Sequence, residues 1–291
     1  MFKRYFAGLM FVMALWIPAA VHAESSLREQ IPTEEFAAFC GAFPEASPSA
    51  DLASLLGQGL KAYDSLGDYR AIFHKTERSG AELGPHEEIY IKFSKPFKIF
   101  MGWLNTQKKG LQVLYQRGRH DDKLAIHQPG LILGLAQVVF LEQSSPWVRE
   151  GSASYDIEDA GIGSFLYDFT RAVLQGHREK KLKVSPKIFV ENNGLAGEKI
   201  EVIFEDSKDQ KGYFAHRIEV IFDRTNHLPV GMSLYDWDDQ PMGFYEYREL
   251  KVDVGAEDED FIKQINRRLL RVYRDDPALK GVSRPAKQNF S

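Results

Sequence analysis

Histidines and carboxylates are the side chains of this sequence whose types could support acid–base chemistry or hold a metal ion. The histidines beyond residue 23 are His74, His86, His120, His127, His177, His216 and His227. No two of them have the short spacing of a metal-binding motif. Acidic residues gather at 120–122 and 236–239. They could hold a hard cation, but carboxylates are also common turn formers. We interpret them as solvated turns and predict neither a metal site nor a cofactor.

Nucleophiles and nucleotide-binding loops give equally little signal. The sequence has no Gly-x-Ser-x-Gly motif and no P-loop. Its one cysteine, Cys40, lies between Phe39 and Phe43, so we interpret the thiol as packed rather than reactive. Gly161 and Gly163 lack the third glycine of a dinucleotide-binding loop, and we interpret them as the tight start of a helix. We therefore predict that the protein is not an enzyme, with a hydrolase assembled from distant residues as an alternative.

Two segments are unusually apolar. Residues 97–104 are apolar on both alternating faces apart from Lys98 and Gly102, which is typical of a strand buried on both sides. Residues 130–141 contain one polar side chain, and they form either a buried core segment or a mobile flap beside a cavity. The side chains that we predict to line an apolar cavity are Phe100, Trp103, Leu131, Leu133, Phe165 and Phe169. The same side chains could instead fill a solid core.

The elements that position these side chains are mostly strands. Short runs typical of strands are separated by turn-forming residues and fall into two series, 69–76, 88–93, 97–104, 111–116 and 123–128, then 187–191, 198–205, 216–222, 228–237 and 242–252. Helical spacing predicts helices over 51–65 with Asp51 as N-cap, over 157–178 and over 258–273. The fold class that follows is α+β and mostly β, with a large curved antiparallel sheet covered by helices.

The N-terminus has the layout of a secretory signal peptide. Lys3 and Arg4 precede an apolar run over 6–17, and small residues at Val21 and Ala23 predict cleavage before Glu24. The run is shorter than the roughly 20 residues that span a bilayer, and Cys40 is too distant for a lipid anchor. We therefore predict a periplasmic protein with no transmembrane segment after cleavage. The formal net charge of −4 argues against nucleic acid as a partner.

The predicted organisation has four parts. A signal peptide (1–23) is followed by an N-terminal arm (24–50), in which residues 36–43 form either part of the arm or a short helix. A single half-barrel domain (51–274) and a disordered tail (275–291) complete the chain.

Several motifs resemble a known family. They are Lys95-Pro96-Phe97, Phe100-Met101-Gly102-Trp103, Tyr115-x-x-Gly118 with Lys123-Leu124, and residues 155–163. Together they resemble the bacterial secreted family called domain of unknown function 1571, over about residues 52–254. That family is similar in fold to the periplasmic carriers and outer-membrane receptors of lipoproteins. The resemblance implies a half-open β-barrel that helices close around an apolar cavity.

Two functional hypotheses follow. In the first, the protein binds or carries a lipid, an acylated protein or another amphiphile in the bacterial envelope, because a water-soluble carrier must offer a hydrocarbon chain a dry pocket. In the second, it is a non-catalytic interaction or scaffold protein that holds an envelope protein at its sheet edge or at the basic stretch 177–183.

Overall fold

The computed structural model describes residues 31–127, 138–145, 148, 157–192, 194–205 and 212–255. Several predictions lie outside these described residues. They are the signal peptide (1–23), the C-terminal helix (258–273), the tail (275–291) and the proposed lining residues Leu131 and Leu133.

Strands are the most common regular elements of the described chain. They are β1 (Asp68–Ser79), β2 (Glu82–Leu83), β3 (Glu87–Ser94), β4 (Lys98–Trp103), β5 (Gln112–Gln116), β6 (Leu124–His127), β7 (Val138–Leu141), β8 (Leu182–Val184), β9 (Ile188–Asn192), β10 (Leu195–Phe204), β11 (Arg217–Phe222), β12 (Pro229–Tyr235) and β13 (Pro241–Val252). All ten predicted strands are confirmed. The sequence patterns missed β2 and β8, which have only two and three residues. They also missed β7, whose four residues are all apolar and therefore show no alternation.

The strands form one open antiparallel sheet in the order β7-β6-β5-β4-β3-β1-β13-β12-β11-β10-β8, with β2 paired to β1 and β9 to β10. Each of the two predicted series is a meander of sequence neighbours. They join where β1 pairs with β13, with Tyr69 opposite Val252. The predicted fold class, a large curved antiparallel sheet covered by helices, is confirmed.

The described residues include three helices on one side of the sheet, and they are α1 (Thr33–Gly41), α2 (Pro48–Ser65) and α3 (Ile162–Arg178). Helix α1 packs on α2 and α3. The structure resolves the alternative left open for residues 36–43, because they lie largely within α1. Helix α2 begins before the predicted Asp51, since Ser47 accepts a hydrogen bond from the Ala50 N–H at 3.2 Å and is the N-cap. Pro48 follows as the first helical residue, where its missing N–H leaves no intrahelical bond unmade.

Helix α3 starts later than its apolar pattern predicts. Residues Ile157–Asp159 form a separate 3₁₀ turn, and the helix begins at Ile162. Gly161 is the N-cap with φ of 115°, a conformation that favours glycine. The ring of Tyr63 packs against Gly163 so closely that a Cβ there would lie 2.1 Å from the ring. The interpretation of both glycines as a tight helix start is confirmed.

The two faces of the sheet differ in what they contact. The face that packs on the helices, called the inner face below, contributes alternate side chains to the main apolar cluster of the protein. At the β1–β13 junction this layer is aromatic, with the ring centroids of Phe73 and Tyr247 4.7 Å apart and those of Tyr69 and Phe93 5.0 Å apart. On the opposite, outer face, a second and smaller cluster contains Ile72 and Tyr90.

Candidate functional site

Three of the predicted lining side chains lie together in the main cluster. Trp103 projects from β4 and both Phe165 and Phe169 project from α3, and all three are buried. The two phenylalanine rings stack with centroids 5.6 Å apart, and Phe214 meets Phe165 edge-on at 6.4 Å. The structure therefore brings these predicted residues into one interior, where the aromatic rings of α3 contact each other.

Phe100 does not share this interior. It lies on the outer face of β4, in the smaller cluster with Tyr90 and Leu114. Successive side chains of a strand point to opposite faces, so Phe100 and Trp103, three positions apart, cannot line the same space. Phe100 is therefore removed from the proposed lining.

A group of four charged side chains, called the charged cluster below, borders the apolar inner face. It contains Lys75 and Glu77 of β1, Glu87 of β3 and Lys108 of the β4–β5 connection. The Lys75 Nζ lies 2.8 Å from Glu77 Oε2 and 3.7 Å from Glu87 Oε2. Lys108 forms an ion pair with Glu87. The side chains of Lys75 and Glu87 are only 6% and 5% exposed, which makes this pair expensive to desolvate.

Two aromatic residues join the charged cluster to the apolar interior. The indole Nε1–H of Trp103 donates to Glu87 Oε2 at 3.4 Å, and the hydroxyl of Tyr245 donates to Glu77 Oε1 at 3.0 Å. The Lys108 ammonium lies 5.9 Å from the centroid of the Trp103 ring. Burial lowers the pKa of Lys108, while the neighbouring Glu87 carboxylate opposes that shift. The site is therefore apolar over the inner face and charged at one border.

A second polar group fastens the start of α3 to the sheet. Glu158, in the 3₁₀ turn before the helix, accepts from the Tyr115 hydroxyl at 2.8 Å and from Arg117 Nε at 2.8 Å. Burial, followed by the hydrogen bond to Glu158, raises the pKa of Tyr115 well above its usual range, so this hydroxyl remains protonated and donates. These contacts fix the position of the helix that carries Phe165 and Phe169.

Carboxylates of both acidic turns form hydrogen bonds to the backbone of their own turn. Asp122 Oδ1 accepts from the Gly118 N–H at 2.6 Å. Asp236 accepts from the backbone N–H groups of Asp238 and Gln240 and pairs with Arg78 at 2.6 Å. The backbone contacts agree with the interpretation as turn formers, whereas the mostly buried Asp236 also connects its turn to β1 through Arg78.

The interpretation of the Cys40 thiol as packed is wrong. The thiol is exposed on α1, whereas the neighbouring Phe39 is buried. Partial burial still raises the pKa of the thiol above its ordinary value, which disfavours the reactive thiolate. The packed residue of this pair is therefore Phe39.

The basic stretch 177–183 is engaged within the chain. The His177 ring packs against Phe39 with centroids 5.2 Å apart, and Arg178 pairs with Glu35 of α1 at 2.5 Å. Lys181 pairs with Glu179 at 3.3 Å. His177 and Arg178 thus connect the end of α3 to α1, while the side chains of Arg178 and Lys183 are 62% and 65% exposed.

The histidines lack metal-ligand spacing in the sequence, but the fold brings one pair of them together. His74 of β1 and His86, just before β3, approach within 3.1 Å through Nδ1 and Nε2, and Glu88 completes a group whose possible metal-ligand atoms all lie within 4.8 Å of one another. Sequence reasoning missed this group because its members are brought together by strand pairing. The antiparallel register of β1 and β3 places Glu88 directly opposite His74, and that register is known only from the structure.

Comparison with known proteins gives one sequence family. A family model described as "Protein of unknown function (DUF1571)" matches residues 66–267. No curated protein sequence matches the chain. In the described part of the chain, every helix is too short or too polar to cross a membrane.

Solved structures of envelope proteins align with most of the chain at low identity. A putative outer-membrane lipoprotein-sorting protein domain from Vibrio parahaemolyticus is 14% identical, with 72% of this chain and 97% of that chain covered and a TM-score of 0.30. The lipoprotein LppX from Mycobacterium tuberculosis is 14% identical, with coverages of 70% and 97% and a TM-score of 0.40. A chain of the MucA/MucB complex of Pseudomonas aeruginosa is 12% identical, with coverages of 72% and 60% and a TM-score of 0.43. At such identities a likeness in fold carries no information about function.

Proposed function

The chain belongs to the DUF1571 family of proteins of unknown function, and from its own geometry we propose that it binds or carries an amphiphile, such as a lipid or an acylated protein, in the bacterial envelope. The observation that carries this proposal is the position of Trp103. Its ring belongs to the apolar interior and its N–H is bonded to the charged cluster through Glu87. An amphiphile likewise needs an apolar surface for its hydrocarbon chain next to a polar surface for its headgroup.

We place the apolar part of the site on the inner face of β4 to β7. Met101 and Trp103 of β4, Val113 of β5 and Ile126 of β6 all point to this side. A hydrocarbon chain placed against them gains about 0.8 kcal/mol for each buried methylene. Leu131, Leu133, Phe165 and Phe169 complete the proposed lining. Since the rings of α3 contact each other in this structure, we propose that they separate when a chain enters.

The charged cluster supports a polar headgroup at the border of that face. Its two ammonium and two carboxylate groups are largely withdrawn from water on a sheet whose interior is otherwise apolar. Replacing such buried pairs by apolar residues is often neutral or stabilising, so stability alone does not explain why they are retained. We propose that a charged headgroup replaces one partner of these ion pairs, which would give the charged cluster a role in binding.

The proposed location is the periplasm. The signal-peptide layout of residues 1–23 supports export, and the position of Cys40, well beyond the apolar run, supports a protein without a lipid anchor. Mass measurement of protein isolated from the periplasm checks both points, since we expect a mature chain that begins at Glu24 without added lipid mass on Cys40.

Native mass spectrometry of the periplasmic protein tests the main proposal. We expect added masses of amphiphiles that disappear on solvent extraction, and we expect the extracted protein to bind a fluorescent fatty-acid probe. The neighbours Val139 and Phe140 of β7 give a matched pair of variants, because Val139 packs on the main cluster whereas Phe140 is 41% exposed. We expect Val139→Lys to weaken probe binding at least about tenfold by placing a charge against the chain, and Phe140→Lys to leave it unchanged. Absence of both co-purified amphiphile and probe binding would refute the proposal, as would equal effects of the two variants.

A second candidate function, binding of an envelope protein at the sheet edge, is favoured by one observation. Ile188 and Phe189 on β9 are 53% and 55% exposed, although both are large and apolar. Exposed apolar residues on a strand near a sheet edge suit addition of a partner strand. A photocrosslinking amino acid at Phe189 should then capture a partner in cells that one at Leu83, exposed on β2, does not. Equal crosslinking at both positions would argue against a specific edge site.

A further inference from the structure

The outer face of the sheet carries three side chains that can act as metal ligands. His74 lies on β1, Glu88 lies directly opposite it on β3, and His86 precedes β3 by one residue. The His74 Nδ1 is 3.1 Å from His86 Nε2, and that nitrogen is 4.0 Å from Glu88 Oε1. Because the inner and outer faces are separated by the sheet backbone, this group is distinct from the proposed amphiphile site.

The spacing of these atoms fits a small divalent metal ion. A tetrahedral Zn²⁺ with bonds of about 2.0–2.1 Å to nitrogen holds two ligand nitrogens about 3.3 Å apart. The two histidine nitrogens are already at nearly that separation, and the ligand atoms of all three side chains lie within 4.8 Å of one another, so a shift of the Glu88 side chain by about an ångström completes the set. The ligand set of two histidines and one glutamate occurs in open zinc sites, where water takes the fourth position.

His86 is also held in the orientation that a ligand needs. Its other ring nitrogen, Nδ1, lies 3.3 Å from the Thr76 hydroxyl oxygen. A metal-bound histidine usually donates its second N–H to an oxygen, which fixes both the tautomer and the ring plane. Thr76 can accept that hydrogen and leave the Nε2 lone pair directed at His74 and Glu88.

The neighbouring charges permit a bound cation. Arg248 of β13 lies two positions from Glu246, which faces His74 across the β1–β13 pair. Arg248 donates to Glu246 Oε2 from Nε at 2.8 Å and from Nη2 at 2.5 Å. Glu246 therefore offsets part of the Arg248 charge beside His74. The His86 side chain is 50% exposed, so an ion reaches the group from solvent.

We propose that His74, His86 and Glu88 form a binding site for a divalent transition-metal ion, with Zn²⁺ as the best fit. His74 Nδ1, His86 Nε2 and a Glu88 oxygen are the protein ligands and water fills the remaining position. The ion links β1 to the segment that precedes β3.

Metal titration of the untagged full chain after treatment with a chelator tests the site. We expect one equivalent of Zn²⁺ to bind by calorimetry and one equivalent of Co²⁺ to give the visible absorption of a four-coordinate site. His86 is exposed, so His86→Ala should fold normally, and we expect it to weaken Zn²⁺ binding by more than about 100-fold. We expect His120→Ala, which removes an exposed histidine outside the group, to leave binding unchanged.

The Thr76→Val variant distinguishes a preorganised metal site from nonspecific binding of metal by surface histidines. Because Thr76 orients His86 without touching the ion, we expect this variant to weaken Zn²⁺ binding about tenfold and to retain the stoichiometry. No binding by the wild-type chain would overturn the proposal. Binding that persists in both His86→Ala and Glu88→Gln would do the same, since it would place the ion elsewhere.

Discussion

The indole Nε1–H of Trp103 donates a hydrogen bond to Glu87 Oε2 at 3.4 Å, and this contact connects the apolar interior with the charged cluster. The same carboxylate lies 3.7 Å from the Lys75 Nζ and pairs with Lys108. One buried glutamate thus holds an aromatic ring and two ammonium groups in place.

Glu87→Gln tests the contribution of that carboxylate to stability. The substitution keeps the shape of the side chain but leaves the buried ammonium of Lys75 with weaker compensation, so we expect the free energy of unfolding to fall by about 3 kcal/mol. Urea unfolding measures it. Glu82→Gln on β2 is the control, because Glu82 is exposed and should change stability by less than about 0.5 kcal/mol. Equal effects of the two variants would mean that the charged cluster is not coupled to folding.

Lys108→Met tests whether the cluster receives a headgroup. The Lys108 ammonium lies 5.9 Å from the centroid of the Trp103 ring, so its loss should weaken binding of a fatty-acid probe about tenfold, or about 1.4 kcal/mol. An uncharged alcohol probe of equal chain length should bind as before. Lys109→Met, which removes an exposed neighbouring charge, serves as the control in a displacement titration. Equal losses for both probes would show that Lys108 supports packing and makes no contact with a headgroup.

Gly163→Ala and Gly57→Ala should change stability in opposite directions. At Gly163 a Cβ would lie 2.1 Å from the Tyr63 ring, and we expect overpacking to cost about 1–3 kcal/mol. At Gly57 the nearest atom, in the Phe36 ring, is 3.7 Å away, so the better helix propensity of alanine should add up to about 1 kcal/mol. Thermal unfolding measures both. If Gly163→Ala also stabilised the protein, the close contact between the Tyr63 ring and Gly163 of α3 would be contradicted.

Phe39→Ala and Cys40→Ser test how α1 is held. Phe39 is 1% exposed, with its ring centroid 5.1 Å from that of Phe43 and 5.2 Å from that of His177. Its truncation should cost about 3–5 kcal/mol. Cys40→Ser, on the exposed side of the same helix, should change stability by less than about 0.5 kcal/mol. Similar losses in denaturant unfolding would contradict the docking of α1 through Phe39.

Local sequence patterns predicted most of the architecture. Alternation and turn residues give ten of the described strands, and helical spacing gives α2 and α3, because these signals depend on neighbours within a few residues. They could not show β2 and β8, which are very short, or β7, which is apolar throughout. They also could not distinguish the faces of β4, where Phe100 and Trp103 are both large, apolar and buried.

The sequence by itself determined the mostly antiparallel class, the aromatic stripe of α3 and the glycines at its start, since each follows from local backbone and side-chain preferences. Only the tertiary structure decided that Trp103 meets Glu87, that Lys108 joins them, and that His74 and His86 lie together. Those contacts depend on the register between β1, β3 and β4 and on the length of their connections. The physical reason is that register is set by burial of a whole sheet face, to which every strand contributes, and by the turns that join the strands.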